Sequence, residues 1–330
     1  MRSVALLVAL ASLLLAPLAQ AAPEQVHLGL PTADSATGLS ILWLDAQPEG
    51  APQVTLDTPS GAKTVTGASV AGPSVGFAYE ARLTSLAPNT TYRYHVGEKT
   101  FPFTTPAATT APFRFVALGD MGADANAAAT VAKIQELAPD LVLHSGDISY
   151  SGGDPTVWAE WFTMVEPVAA RVPWVTALGN HEADVAGAGV PVLGGNAISP
   201  TEQAFYTQRF GLPGNELYYS FDWQGTHFVA LDTFSQLDIP ADERAWLDAD
   251  LSAAHENATW TIVFLHEPPF SSNAAHGSSA RVQQAFVPLF EKHHVALVIA
   301  AHDHSYERFA PINGVTYVVS GGGGAELYAN

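Results

Sequence analysis

The sequence predicts two domains, an all-β sandwich followed by an α/β domain in which sheets lie between layers of helices. Its 330 residues suit two domains of ordinary size. Short alternating segments fill the first third, whereas strand-like and helix-like segments alternate after Pro112. Hydrophobic residues make up 48% of the chain, which is enough for two cores.

Residues 1–21 are expected to be a secretory signal peptide and not part of the fold. Arg2 is positively charged, Val4 to Leu15 is almost wholly apolar, and Ala19-Gln20-Ala21 matches a cleavage site. A membrane anchor is the alternative, but the run is short for a span of about 20 residues and Pro17 interrupts it. We expect a secreted or periplasmic protein without a membrane anchor.

Residues 24–106 are predicted to form the sandwich. Residues 38–44 and 91–96 alternate as half-buried strands do, with Tyr92, Tyr94 and Val96 on one face. Turn signals such as Pro59-Ser60-Gly61 separate the segments, and about seven short strands would complete a sandwich. Residues 107–112, rich in Thr, Ala and Pro, are predicted to be a linker.

Residues 113–330 are predicted to form the α/β domain. Buried-type strands are expected at 113–118, 140–144, 172–177, 226–231, 259–265 and 295–300. Helices are expected at 123–137, 154–168, 241–254 and 282–290.

Composition excludes several kinds of site. The chain has no cysteine, which rules out thiolate catalysis and cysteine-based zinc sites. Its net charge of −19 opposes binding to nucleic acids and anionic membranes, so we expect neither as a partner. An anionic substrate would need a local positive centre, which metal ions could supply.

Polar motifs follow five of the predicted strands, where the carboxyl ends of an open α/β sheet bind ligands. They are Gly119-Asp-Met-Gly122, Gly146-Asp-Ile-Ser-Tyr150, Gly179-Asn-His-Glu182, His266 and Ala301-His-Asp-His304. Each motif alone is weak, because single Asp, Asn or His residues also serve as caps, turns or surface groups. Together they indicate a metal site, since buried unpaired Asp and His would each cost several kcal/mol.

This series resembles the purple acid phosphatase-like family of the calcineurin-like metallophosphoesterase superfamily. Tyr150 and Glu182 are the most specific matches, and Leu86 to Tyr94 resembles the fibronectin type III-like domain that precedes the family's catalytic domain. The resemblance implies an αββα metallophosphoesterase domain. Ala301 departs from the family, which usually has Gly there. The family also has structure beyond the segment 320–324, so the chain is expected to be either a short member or truncated.

The resemblance also implies a dinuclear centre of Fe³⁺ and a divalent ion of Fe, Zn or Mn. Asp120, Tyr150 and His304 would bind the first ion, Asp147 would bridge, and Asn180, His266 and His302 would bind the second. Hard oxygen donors independently suit a trivalent ion, and an amide with two imidazoles suits a divalent one.

The expected activity is that of an acid phosphatase, in which a metal-bound hydroxide attacks phosphate monoesters. By resemblance His181 and His276 are the catalytic histidines, although His276 could instead be a surface residue of a Ser/Asn/Gly-rich loop. Glu182 is expected to orient a histidine, and Asp303 to point away from the metals. A phosphodiesterase or nucleotide hydrolase with the same centre, distinguished by loops 183–202 and 271–279, is the first alternative. A non-catalytic surface-binding protein is the second.

Overall fold

The computed structural model describes residues 22–71, 74–183, 206–234, 238–255 and 258–328. The predicted signal peptide and nearly all of loop 183–202 lie outside the described residues. Within the described ranges, no helix combines the length and the apolar character needed to cross a membrane.

The N-terminal region is a sandwich of two four-stranded sheets. Its strands are β1 (Glu24–Gly29), β2 (Leu39–Asp45), β3 (Gln53–Thr58), β4 (Gly61–Thr66), β5 (Ala68–Val70), β6 (Phe77–Leu83), β7 (Thr91–Val96) and β8 (Lys99–Thr104). The strand orders are β1-β2-β6-β5 and β4-β3-β7-β8. Tyr94 and Val96 are fully buried between the sheets and Tyr92 nearly so, as the alternation of β7 predicts.

The C-terminal region contains two further sheets. Their strands are β9 (Phe115–Leu118), β10 (Leu141–Ser145), β11 (Trp174–Ala177), β12 (Tyr219–Trp223), β13 (Thr226–Ala230), β14 (Trp260–Phe264), β15 (Leu297–Ala300), β16 (Tyr306–Arg308) and β17 (Thr316–Ser320). A three-stranded parallel sheet has the order β11-β10-β9, and a six-stranded mixed sheet has the order β12-β13-β14-β15-β17-β16. The described helices are α1 (Ala125–Leu137), α2 (Pro155–Ala169), α3 (Asn180–Ala183), α4 (Ala241–His255) and α5 (Ala280–Lys292).

These elements form four layers. One core lies between α1 and α2, the small sheet and the near face of the large sheet. A second core lies between the far face of the large sheet and α4 and α5. The expected αββα arrangement, behind an all-β N-terminal domain, is confirmed.

The sandwich packs directly on the α/β domain through helix α2. Glu166 of α2 accepts a hydrogen bond from the backbone N–H of Val26 at 3.2 Å and binds the ammonium of Lys99 at 2.5 Å. The hydroxyl of Tyr94 donates to the backbone oxygen of Ala170 at 2.7 Å. The interface therefore fixes the helix that follows the second polar motif.

Candidate metal centre

The predicted ligands lie at the carboxyl ends of three strands of the small sheet and two of the large sheet. β9, β10 and β11 run parallel, as do β14 and β15, so each group of ends lies along one edge. Side-chain contacts join the two edges. The residues brought together are Asp120, Asp147, Tyr150, Asn180, His266, His302 and His304.

Four of these residues have a left-handed backbone. The φ angle is 58° at Asp120, 51° at Asp147, 54° at Tyr150 and 69° at His302. Non-glycine residues seldom adopt this conformation, which costs roughly 1–3 kcal/mol each and is concentrated at functional sites. The surrounding fold therefore fixes these side chains at the expense of local backbone strain.

Two glycines let the loops after β10 and β11 pack against each other. A Cβ on Gly179 would lie 2.2 Å from both the backbone nitrogen and Oδ1 of Asp147. A Cβ on Gly146 would lie 2.8 Å from both the backbone nitrogen and the Cα of Gly179, and 2.7 Å from Nδ1 of His266. These two motif glycines are thus required for close approach.

One side of the centre gathers nitrogen and oxygen donors around His266. Nδ1 of His266 donates to the backbone oxygen of Ser145 at 2.7 Å, which leaves Nε2 with its lone pair in the neutral ring. Nε2 lies 3.0 Å from Oδ1 of Asn180, 3.2 Å from Nδ1 of His302 and 3.3 Å from Oδ1 of Asp147. Two imidazoles, an amide oxygen and a carboxylate suit a divalent transition-metal ion.

The other side gathers donors around Tyr150. Its phenol oxygen lies 3.0 Å from Nε2 of His304 and 3.3 Å from Oδ1 of Asp120. Nδ1 of His304 donates to the backbone oxygen of Glu326 at 2.8 Å, so its Nε2 faces the phenol and the carboxylate. The phenol and carboxylate oxygens here are the harder set of donors.

The electrostatics of the cluster call for added positive charge. Burial, together with Asp147, raises the pKa of Asp120 well above its usual value. Burial opposes charge on His266, yet the carboxylates of Asp147 and Asp120 raise its pKa to about 10. Burial and the same two carboxylates raise the pKa of Tyr150 above its usual value. Because a cation would reverse these costs, the residues present fit a metal centre.

Glu182 was expected to orient a histidine ring. Its carboxylate instead accepts hydrogen bonds from backbone N–H groups. Its fully buried carboxylate accepts hydrogen bonds from the backbone N–H of Asp147, Ile148 and Gly179, at 2.9, 2.8 and 3.0 Å. Burial and the neighbouring Asp147 raise the pKa of Glu182 to about 7. Glu182 therefore ties together the two loops that carry Asp147 and Asn180.

Both predicted catalytic histidines border the centre. The ring centroid of His181 lies 4.3 Å from that of Tyr150, and its Nε2 lies 3.8 Å from Oδ2 of Asp147. The ring of His276 lies 4.0 Å from that of His302. Both side chains retain access to solvent, so a substrate could reach them.

Comparison with known proteins agrees with this geometry. Residues 113–306 match the family described as calcineurin-like phosphoesterase, and residues 23–117 match the N-terminal domain of purple acid phosphatases. The chain belongs to the purple acid phosphatase branch of the calcineurin-like phosphoesterases.

Two plant enzymes are similar to this chain. Purple acid phosphatase 22 of Arabidopsis thaliana is 34% identical over 244 residues, which are 71% of this chain and 54% of the relative. Phosphoenolpyruvate phosphatase of Allium cepa is 29% identical over 332 residues, which are 93% of this chain and 67% of the relative. The chain thus spans about half the length of the first relative. A solved structure, purple acid phosphatase PPD1 of yellow lupin, matches with a TM-score of 0.77 and 22% identity over 93% of this chain and 66% of that chain.

Sequence reasoning missed one residue of this calcineurin-like site, Phe234, and did not predict the contacts of a second, Asp303. The ring of Phe234 lies 5.5 Å from the rings of both His266 and His302. Asp303 was expected to point away from the metals. Its fully buried carboxylate accepts the backbone N–H of His276 at 3.2 Å and of Gly277 at 3.3 Å. Asp303 therefore fastens the loop that carries His276, a contact that no local pattern indicates.

Proposed function

We propose that this chain is an exported acid phosphatase that hydrolyses phosphate monoesters at a dinuclear metal centre. The observation that supports it best is the convergence of seven donor residues from five strand ends into two adjacent sets. The expected pair is Fe³⁺ with Fe, Zn or Mn. The first ion would be held by Asp120, Tyr150 and His304, the second by Asn180, His266 and His302, and both by Asp147.

The protein's own residues would prepare the centre for an anionic ester. When bound, the two ions would neutralise charge on the phosphoryl oxygens and lower the pKa of water toward about 7. Ser145 fixes the ring of His266, and Glu326 fixes that of His304, each by accepting Nδ1–H. Such a centre would attract a phosphate ester into a chain whose net charge is −19.

His181 and His276 would act on the substrate. They flank the centre from the side of Tyr150 and from the side of His302. Each can donate a hydrogen bond to a phosphoryl oxygen or a proton to the departing alkoxide. These roles, the ligand assignments and the domain limits of 24–106 and 113–330 are parts of the same proposal.

Export is proposed from the signal-peptide pattern in residues 1–21. The small-molecule ester is the only partner that the proposal requires.

A comparison of two ester substrates tests the activity. The chain is loaded with iron and zinc, and its kcat/KM is measured for 4-nitrophenyl phosphate and for bis(4-nitrophenyl) phosphate at acidic pH. We expect the monoester to be preferred by more than about tenfold, a difference of about 1.4 kcal/mol in the activation barrier. A preference for the diester would assign a phosphodiesterase, and metal binding without hydrolysis of either would favour a surface-binding protein.

A further inference from the structure

A glycine-rich segment, residues 321–328, runs along the half of the centre that contains Tyr150. A Cβ on Gly321 would lie 2.1 Å from the backbone oxygen of Asp303 and 2.6 Å from Oδ2 of Asp120. The backbone N–H of Ala325 donates to the backbone oxygen of Asp120 at 3.0 Å. The glycines therefore allow this segment to lie directly against the ligand loops.

The segment places Tyr328 on the centre. The backbone N–H of Tyr328 donates to the backbone oxygen of His304 at 3.0 Å. Its ring stacks on the imidazole of His304, with centroids 4.2 Å apart and planes at 11°. Its hydroxyl lies 3.2 Å from Nε2 of His276.

Tyr328 thus contacts both sides of the centre, the side around His266 and the side around Tyr150. His276, which it contacts through the hydroxyl, packs on His302 at 4.0 Å, whereas His304, under its ring, faces Tyr150. Asp303 contacts His276 at its backbone N–H, so the torsions of the side chain depend on what the ring itself contacts. His276 is exposed, so its rotamer is held by ring contacts, which are the packing on His302 and the hydrogen bond with the Tyr328 hydroxyl.

We propose that Tyr328 is a positioning residue, whose hydroxyl holds the ring of His276 over the centre and whose ring holds His304. The inference rests on the proposed phosphatase function. A tyrosine hydroxyl both donates and accepts, so it can bind either tautomer of His276. Tyr328 consequently sets the direction from which His276 meets the phosphoryl group.

The substitution Tyr328→Phe removes the hydroxyl and keeps the ring on His304. With the iron- and zinc-loaded chain, the affinity for inorganic phosphate is measured by calorimetry, kcat by hydrolysis of 4-nitrophenyl phosphate, and metal content after dialysis. We expect unchanged metal content, and phosphate affinity and kcat each lower by about 3- to 10-fold, the effect of one hydrogen bond. Tyr306→Phe, at a tyrosine 70% exposed in β16, is the matched control and should change none of them.

A double-mutant cycle separates positioning from a general structural effect. In a His276→Ala background, Tyr328→Phe should change phosphate affinity and kcat by less than about twofold, because no ring remains to be held. Tyr328→Ala, which also removes the stacked ring, should in addition release metal faster to a chelator.

Two results would overturn the role of Tyr328: wild-type phosphate affinity in Tyr328→Phe, or losses that multiply with those of His276→Ala. A wild-type chain that binds metal and phosphate but hydrolyses no ester would overturn the proposed function instead. The phosphate-affinity and metal-content comparisons would then still decide the role of Tyr328. A chain that binds neither metal nor phosphate would overturn both.

Discussion

Glu182 holds the backbone of Asp147, accepting its N–H at Oε2 over 2.9 Å, and the same oxygen accepts the N–H of Gly179 at 3.0 Å. Its other oxygen accepts the N–H of Ile148 at 2.8 Å. One carboxylate thereby satisfies three buried donors in two loops. This contact fixes the relative positions of Asp147 and Asn180.

Replacing Glu182 by Gln should therefore weaken metal binding. A Gln side chain has one acceptor oxygen, so its NH₂ group would face at least one of the three backbone N–H groups. The lost and mismatched hydrogen bonds should lower the free energy of unfolding by about 1–3 kcal/mol and metal affinity by about 10- to 100-fold. Metal titration and chemical denaturation measure both. Glu160→Gln, on the exposed face of α2, is the control, and equal behaviour of the two variants would contradict the role of Glu182.

Gly179→Ala should disrupt the same junction by steric overlap. The added Cβ would lie 2.2 Å from the nitrogen and Oδ1 of Asp147, so one loop must move. We expect a loss of about 1–3 kcal/mol in stability, as for other overpacked sites, and loss of most activity. Gly50→Ala is the matched control, because a Cβ there meets no atom within 4 Å. Wild-type metal content in Gly179→Ala would argue against the close packing of these loops.

His227, which lies away from the metal centre, should make the stability of the protein depend on pH. It is buried between Asp222 and Asp250, each 2.8 Å from one ring nitrogen. Burial favours the neutral ring, but these two carboxylates raise its pKa to about 9. Because the folded pKa exceeds the unfolded value of about 6.5, the stabilisation is complete below pH 6.5 and is lost as pH rises through about 9.

The variant His227→Gln should expose this contribution. Its free energy of unfolding should be about 2 kcal/mol lower than that of the wild type at pH 6, and the gap should narrow by pH 9.5. Urea denaturation at several pH values measures the gap. His95→Gln, at a partly exposed histidine of the sandwich that pairs with Asp57, should show little difference from wild type. A gap for His227→Gln that stays constant from pH 6 to 9.5 would exclude the charged pair as its source.

Asp147→Asn tests whether one carboxylate serves both ions. Asn keeps one oxygen that can face His266, but it lacks the negative charge and the second acceptor oxygen of Asp147. It should therefore not bind both ions, and the ratio of metal to protein should fall from two to one or less. Activity should fall by more than about 1,000-fold if both ions are needed. Asp57→Asn, on the outer face of the sandwich and half exposed, controls for loss of a negative charge. Full activity with two ions bound to Asp147→Asn would refute the bridging role.

Local periodicity was sufficient to predict most of the fold. The ends of β10, β14 and α1 lie within two residues of the predicted ends. Long apolar or periodic segments can be recognised from the sequence because their pattern indicates which residues are buried. β16 has three residues and exists through its pairing with β17, so nothing local marks it. β12 was missed although it alternates along Tyr219–Trp223, a signal that could have identified it.

The motifs predicted residues whose side chains the structure brings together, because each motif follows a strand and those strand ends share an edge of a sheet. Their left-handed backbones, and the contacts of Glu182, Asp303 and Tyr328, could not be predicted. Tyr328 meets His276 across 52 positions of sequence, and such contacts depend on the packing of remote segments. The run Gly321–Gly324 was a visible signal of close approach, although not of its partner.

The visible spectrum of the iron-loaded chain tests the central claim most directly. The phenol of Tyr150 lies 3.0 Å from His304, and burial with two carboxylates raises its pKa, so only a strong Lewis acid could keep it ionised at acidic pH. We predict a tyrosinate–iron band in the wild type and in Tyr306→Phe, and its loss in Tyr150→Phe. A band that persists in Tyr150→Phe, or no band with two irons bound, would contradict the proposed centre.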